Sequence, residues 1–506
     1  MDISGWIERW ADFTPDKTAI LFGDDDVSYL ALRERIRACA RILGGPLGVQ
    51  RGDRVAFLGY NSADFLVLMF ACARLGAMMV PLNWRLAPDE HSYILTNAGA
   101  SVLLVEPEFE AGVAEIWDRL GGCRLIRYGE ADNGWESFEA LLASSDGPDR
   151  DLRVGPDDPA LIVYTSGTTG RPKGAVLTQQ ALMYNAVNSA AAYDIISSDV
   201  VFTNLPMFHV GGLNIQTTPA LHAGATVILH RRFEPDATVA AIRDHRPTLI
   251  TLVPAMLQAL IDHPAWPEID FSPLRCIVTG STTVPEPILR TYLDRGVPVI
   301  QIYGSTETAP IAIHQRIADA YANAGSTGKA ALHCEAEIRG IDGTRLAPGE
   351  NGEIVVRGPN VMTGYWNDDD ATAEVLREGW FYTGDVGYID DDGNFHVVDR
   401  TKDVIISGSE NIYPAELEIP LDECPDIAEA AVVARPDPRW GEVPVACVVR
   451  HECGAITKEQ VLALYNGRIA KYKHPHDVVF MDSLPRNVMG KILKYELRTA
   501  VEHGHS

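Results

Sequence analysis

The stretch YTSGTTGRPKG, residues 164–174, follows directly on an apolar run, LIV at 161–163. Thr165, Ser166, Thr168 and Thr169 offer hydroxyls. Gly167, Gly170 and Gly174 let the backbone bend close to a ligand, and Lys173 adds one positive charge. Backbone amides, hydroxyls and a lysine after a strand suit the anionic oxygens of a polyphosphate. A P-loop would need four residues between its glycines and then Gly-Lys-Ser/Thr. Here only Thr168 and Thr169 separate Gly167 from Gly170, and Lys173 stands between Pro172 and Gly174. A plain surface loop would not concentrate so many phosphate-complementing groups.

Outward from this loop, short apolar runs rich in β-branched residues recur at 54–60, 101–106, 161–165, 226–230, 248–253, 276–279 and 298–303. Each is short enough for a buried strand. Helical patterns lie between many of them, as at 63–75 and 236–244, so the class is α/β with mainly parallel, helix-covered sheets. From about Asn351 the texture changes to short strands, with an Asp392-Gly393 hairpin signal, which implies a small β subdomain. After Arg400 comes a compact α+β stretch with a helix at 415–424 and strands at 430–434 and 443–450. The expected domains are 1–399 and 400–506, the second a small domain of its own.

The net charge is −26, which argues against nucleic acid as a partner and leaves phosphate binding to local devices. The eight cysteines are scattered with no C-x-x-C pair, as for reduced thiols rather than a disulfide framework. The N-terminal residues lack the pattern of a signal peptide, and no apolar run is long enough to span a bilayer. The expected location is cytoplasmic, without stable membrane insertion. Ile3, Trp6, Ile7 and Trp10 form a helical stripe that should pack on the protein's own core.

The 164–174 stretch resembles the phosphate-loop signature of the adenylate-forming superfamily, which holds acyl-CoA synthetases, adenylation domains and firefly luciferases. Further matching stretches follow in the family's order, so the resemblance covers essentially the whole chain. NLPMFHVGG at 204–212 places His209 where the family has a gate residue beside the carboxylate site. GSTT at 280–283 matches a turn lining adenine and acyl group, through Gly280 and Ser281. YGSTE at 303–307 implies Tyr303 and Gly304 at the adenine ring, Thr306 at the α-phosphate and Glu307 on Mg²⁺. YTGD at 382–385 implies that Asp385 holds the ribose, with Arg400 as a second ribose contact. Lys402 matches the hinge about which the family's small, mobile domain turns, and Gly408 the glycine lining the thiol tunnel, although Ser409 stands where relatives carry a second glycine. Lys491, in PRNVMGKILK at 485–494, matches the C-terminal catalytic lysine. Residues 468–494 carry six basic and two acidic side chains, a local balance that fits nucleotide and CoA phosphates.

The resemblance implies an acid–CoA ligase. A carboxylic acid attacks ATP, with Mg²⁺ as cofactor, giving an acyl adenylate and pyrophosphate; CoA then takes the acyl group and AMP leaves. The chain ends soon after Lys491 with no carrier domain, in keeping with free CoA as acceptor. A stand-alone adenylation enzyme that loads a carrier protein is the alternative. A silent binding protein is disfavoured by Lys491, Glu307 and Asp385, and luciferase-like oxidation is more remote. The pocket stretches 209–214, 254–257, 280–283 and 304–310 are small or apolar and hold no Arg or Lys. Gly211 and Gly212 should leave room, so a medium-chain, alicyclic or aromatic acid is expected. The residues leave the oligomeric state open.

Overall fold

The structure is a computed structural model. It describes residues 2–129, 135–143, 154–165, 172–280, 284–323, 325–400, 403–407, 410–438, 440–451, 455–466, 468–486 and 491–502, without the side chains of 400, 410, 411 and 472.

The apolar runs form two large sheets. In one, Thr18–Phe22, Thr226–Leu229, Val200–Thr203, Leu249–Thr251, Cys276–Thr279 and Val299–Tyr303 run parallel, with antiparallel strands at both edges. In the other, Arg54–Leu58, Met78–Leu82, Val102–Val105 and Pro159–Thr165 lie parallel. Lys173–Thr178 folds back antiparallel beside Pro159–Thr165. Val55, Leu104, Val201 and Val278 belong to one buried cluster, so the two sheets share a core. Strands apolar on both faces need such two-sided cover.

Ala63–Leu75 shows how the sequence specifies this cover. Ser62 caps it, its Oγ accepting from Phe65 N at 3.2 Å, and Gly76 ends it at φ +67°. Apart from Asp64 and Arg74, its residues are buried, so it packs on all sides. The N-terminal stripe behaves as expected: Ile3, Trp6 and Ile7 are buried, and Trp10 Nε1 donates to His222 O at 2.9 Å. No described helix is long and apolar enough to cross a membrane. The seven described cysteines are free thiols; Cys453 lies outside the described residues.

The chain forms two compact units. One holds 1–336 and 356–381, the other Glu337–Val355 and Tyr382–Ser506. The compact division thus falls at 381/382 rather than at 399/400. All pairs of the hairpin of Trp380–Ile389 with Phe395–Arg400, from Asp385↔Arg400 to Ile389↔Phe395, lie in the second unit. A cut at 399/400 would part only the terminal pair, Asp385↔Arg400. The turn is also longer than the Asp-Gly signal implies. Asp390 closes a five-residue connection by accepting from Asp392 N at 3.0 Å and Asn394 N at 2.8 Å. The second unit has its own sheet of Ile405–Ser407, Glu410–Ile412, Ile427–Asp437, Gly441–Arg450 and Asp477–Phe480. Leu417, Leu421, Val432, Ala446 and Tyr465 form its core.

Candidate active site

Several expected site residues in the first unit follow the carboxyl ends of parallel strands. Gly280 comes after Cys276–Thr279, Tyr303 ends Val299–Tyr303, and 204–209 follow Val200–Thr203. Open α/β sheets bind ligands at these ends, where loops diverge. Gly304 is fixed by crowding, since a Cβ there would lie 1.5 Å from Pro310 O. Thr306 and Glu307 open the short turn Thr306–Thr308, held by Ser305 N donating to Thr308 Oγ1 at 2.9 Å.

Two of the expected phosphate residues, Thr165 and Lys173, lie where the second sheet folds back. Thr165 pairs with Lys173 across the strands, its Oγ1 3.5 Å from Lys173 O. Ser166, Gly167, Thr168, Thr169 and Gly170 lie outside the described residues, as does Ser281. Lys173 Nζ lies 5.3 Å from the centroid of the Tyr365 ring, and Tyr365 Oη donates to Glu307 Oε1 at 2.8 Å. Burial, then the Glu307 charge, pushes the Tyr365 hydroxyl well above its ordinary pKa, so it stays a donor. Lys173, Tyr365 and Glu307 therefore form one cluster from three distant stretches of sequence.

Glu307 is 9% exposed, and no other hydrogen bond reaches its carboxylate among the described residues. No described group of three or more His, Cys, Asp or Glu side chains could cage a metal. A single hard carboxylate beside a phosphate loop fits Mg²⁺, which takes one or two carboxylates and fills its octahedron with phosphate oxygens and water.

His209 precedes the short helix Val210–Asn214, and its ring lies 4.4 Å from that of Phe208. Its Nε2 is buried and has no hydrogen-bond partner among the described residues. Burial, then the Arg85 charge, pushes its pKa down to about 4, so the ring is neutral near pH 7. A neutral, unpartnered imidazole wall suits an uncharged acyl group. Arg85 lies over Trp84 at 4.4 Å, and Trp84 packs on Tyr60 at 4.8 Å. Sequence reading missed Tyr365, Trp84 and Arg85. The available signals were GYW at 364–366, close to the end of the first unit, and an aromatic-Arg pair just after Met78–Leu82.

One expectation about the pocket is corrected. A Cβ on Gly212 would meet Pro206 O at 2.2 Å and Leu205 O at 2.6 Å, so its lack of a side chain serves backbone packing. At Gly211 the nearest atom would be Ile215 Cδ1 at 3.8 Å, so only this glycine leaves space.

In the second unit, Asp385 faces Arg400 across the hairpin, which brings the two expected ribose contacts to paired backbone positions. Thr383 Oγ1 accepts from Asp385 N at 3.1 Å and donates to Ile354 O at 2.7 Å. Lys402 and Gly408 lie outside the described residues. Lys491 is half-buried and immediately precedes Ile492, which bridges Arg486, ahead of the helix Lys494–Glu502.

Strand-end loops, a lysine where the second sheet folds back and a buried carboxylate joined to it through Tyr365 suit a nucleotide-dependent enzyme. The AMP-binding enzyme family model matches residues 7–366, and the AMP-binding enzyme C-terminal domain matches 416–491. The indoleacetate–CoA ligase of Aromatoleum aromaticum is 53% identical over 99% of this chain and 98% of its own. The feruloyl-CoA synthase of an Amycolatopsis species is 44% identical over 98% of both. The ATP-bound crystal structure of MatB from Rhodopseudomonas palustris superposes with a TM-score of 0.90, at 32% identity and 100% coverage of both chains. The chain belongs to the AMP-binding enzyme family. It is an ATP-dependent, AMP-forming acyl-CoA synthetase.

Proposed function

We propose that the substrate is an aromatic carboxylic acid, with an aryl ring carried on a short chain as in indoleacetate or ferulate. The observation that carries this reading is the 53% identity, over nearly the whole chain, to an indoleacetate–CoA ligase. The neutral His209 ring, the space at Gly211 and the apolar stretch 254–257 support it. None of them offers a cation to a second carboxylate.

In the first step the carboxylate oxygen attacks the α-phosphorus of ATP, forming the acyl–phosphate bond and expelling pyrophosphate. The substrate is its own nucleophile, so the chain's contribution is position and charge. Lys173 and the 165–170 hydroxyls hold the β and γ phosphates, while Thr306 and Lys491 meet the charge growing at the α-phosphate. Tyr303, Gly280, Ser281 and Gly304 frame the adenine, and Asp385 with Arg400 holds the ribose. Mg²⁺ at Glu307 supplies neutralisation of phosphate charge.

In the second step the CoA thiolate attacks the activated carbonyl, forming the thioester and expelling AMP. Here the small domain turns about Lys402, withdraws Lys491 and brings Gly408 toward the thiol. This alternation follows from the resemblance, with the pivot at Lys402.

The test is thioester formation with ATP, CoA and a panel of acids. Arylacetates and cinnamates should show the highest kcat/KM. A preference for acetate, malonate or long fatty acids would overturn the substrate class. Adenylate without CoA thioester from every acid would favour the carrier-protein alternative.

A further inference from the structure

We propose that Tyr365 is a positioning residue for the metal–triphosphate end of the site, setting the Glu307 carboxylate with its hydroxyl and the Lys173 ammonium with its ring face. The proposal rests on the reading of Glu307 as the Mg²⁺ ligand.

The backbone around Tyr365 is fixed to both partners. Gly364–Tyr365 adds as an antiparallel strand to Lys173–Thr178, with Tyr365 opposite Ala175. Trp366 N donates to Gly174 O at 2.7 Å and Thr363 N to Val176 O at 3.1 Å. Met362 N donates to Glu307 O at 2.8 Å, which ties the same segment to the acidic turn. Thr372 Oγ1 accepts from Tyr365 N at 2.9 Å, and a Cβ on Gly364 would lie 2.8 Å from Thr372 Cγ2. The phenol thus has little freedom to be anywhere else.

The chemistry suits a neutral bridge. Glu307 and Lys173 carry opposite charges, and a direct ion pair would satisfy each with the other. Tyr365 instead donates a hydrogen bond to Oε1 without neutralising the carboxylate. It also offers a π face to the ammonium without an anion. Oε2 remains for a cation, and the ammonium remains for phosphate oxygens. Hydrogen-bond partners of metal ligands orient them in this way, and their removal typically weakens metal binding about 10–100-fold.

The experiment is calorimetric binding of α,β-methylene ATP with and without Mg²⁺, which gives the factor by which the metal tightens the nucleotide. Tyr365→Phe keeps the ring and removes only the donor. It should cut that factor by about 10-fold or more while leaving metal-free nucleotide affinity and the KM for the acid unchanged. Tyr365→Leu should also weaken metal-free binding, because Lys173 loses its ring. Glu307→Gln should abolish the factor. If it does not, the assignment of Mg²⁺ to Glu307 fails. If Glu307→Gln abolishes the factor but Tyr365→Phe behaves as wild type, the positioning role fails. Should Tyr365→Phe not fold, Tyr365→His decides: a partial loss of the factor supports the proposal, and wild-type coupling overturns it.

Discussion

Two charged regions of this molecule are built on opposite plans. In the first unit, Lys173 and Glu307 come near each other and are joined only through the neutral Tyr365. In the second unit, Asp399 and Asp403 are both tied to one helix. Lys494 bonds Glu418 at 2.9 Å and reaches Asp399 at 3.9 Å, while Arg498 pairs with Asp403. Glu418 also accepts from Val432 N at 2.7 Å, and Asp399 from Ala415 N at 3.2 Å. In the second cluster each charged group has a partner of opposite sign within the fold. The first joins its two charges to a neutral side chain instead of to each other. Closed clusters report on stability and open ones on binding, because a buried charge costs little only when something compensates it.

The comparison breaks most sharply at two lysines three residues apart. Lys491→Ala should slow adenylate formation by about 10²–10³-fold and spare thioester formation from preformed acyl adenylate. Stopped assays on each half-reaction would show this, and equal loss of both would remove the alternating scheme. Lys494→Met should instead act on stability. It strands Glu418 and Asp399 and should cost about 3–5 kcal/mol, read from denaturant unfolding. An unchanged midpoint would show that the cluster is not structural.

His209 gives a smaller, pH-dependent effect. Its folded pKa, about 4, lies below the ordinary 6.5, so the unfolded chain takes up a proton first on acidification. Its contribution to stability is present above pH 6.5 and is lost as pH falls from 6.5 toward 4. Wild type should lose more thermal stability than His209→Asn across that window, and kcat should show no step near 6.5 from this ring. Smallest of all is Arg290→Ala. The Arg290–Glu286 pair has side-chain exposures of 71% and 62%, and its loss should move unfolding by less than about 0.5 kcal/mol. An effect as large as that of Lys494→Met would erase the contrast between answered buried charges and exposed ones.

Much of the fold was legible locally. The strand runs 54–60, 226–230, 248–253 and 298–303 became strands within a few residues, and 63–75 became a helix with the same bounds. Apolar runs and caps act over a few residues, so sequence carries them. Candidate site residues could be named where a motif keeps them contiguous, as for Tyr303 to Glu307. Tyr365 was not, because its role depends on Lys173 and Glu307, far away in the chain. Gly212 was misread because sequence shows that a side chain is missing but not which backbone fills the gap.

By itself the sequence determined the class of sheet, the order of the motifs and the family, since period, composition and contiguous signatures are properties of the chain. Tertiary structure decided that Tyr365 joins lysine and glutamate, that His209 is neutral, and that Lys494 sits between two carboxylates three residues from Lys491. Each of these depends on burial and on neighbours brought from elsewhere in the chain. Those are consequences of packing that no local pattern encodes.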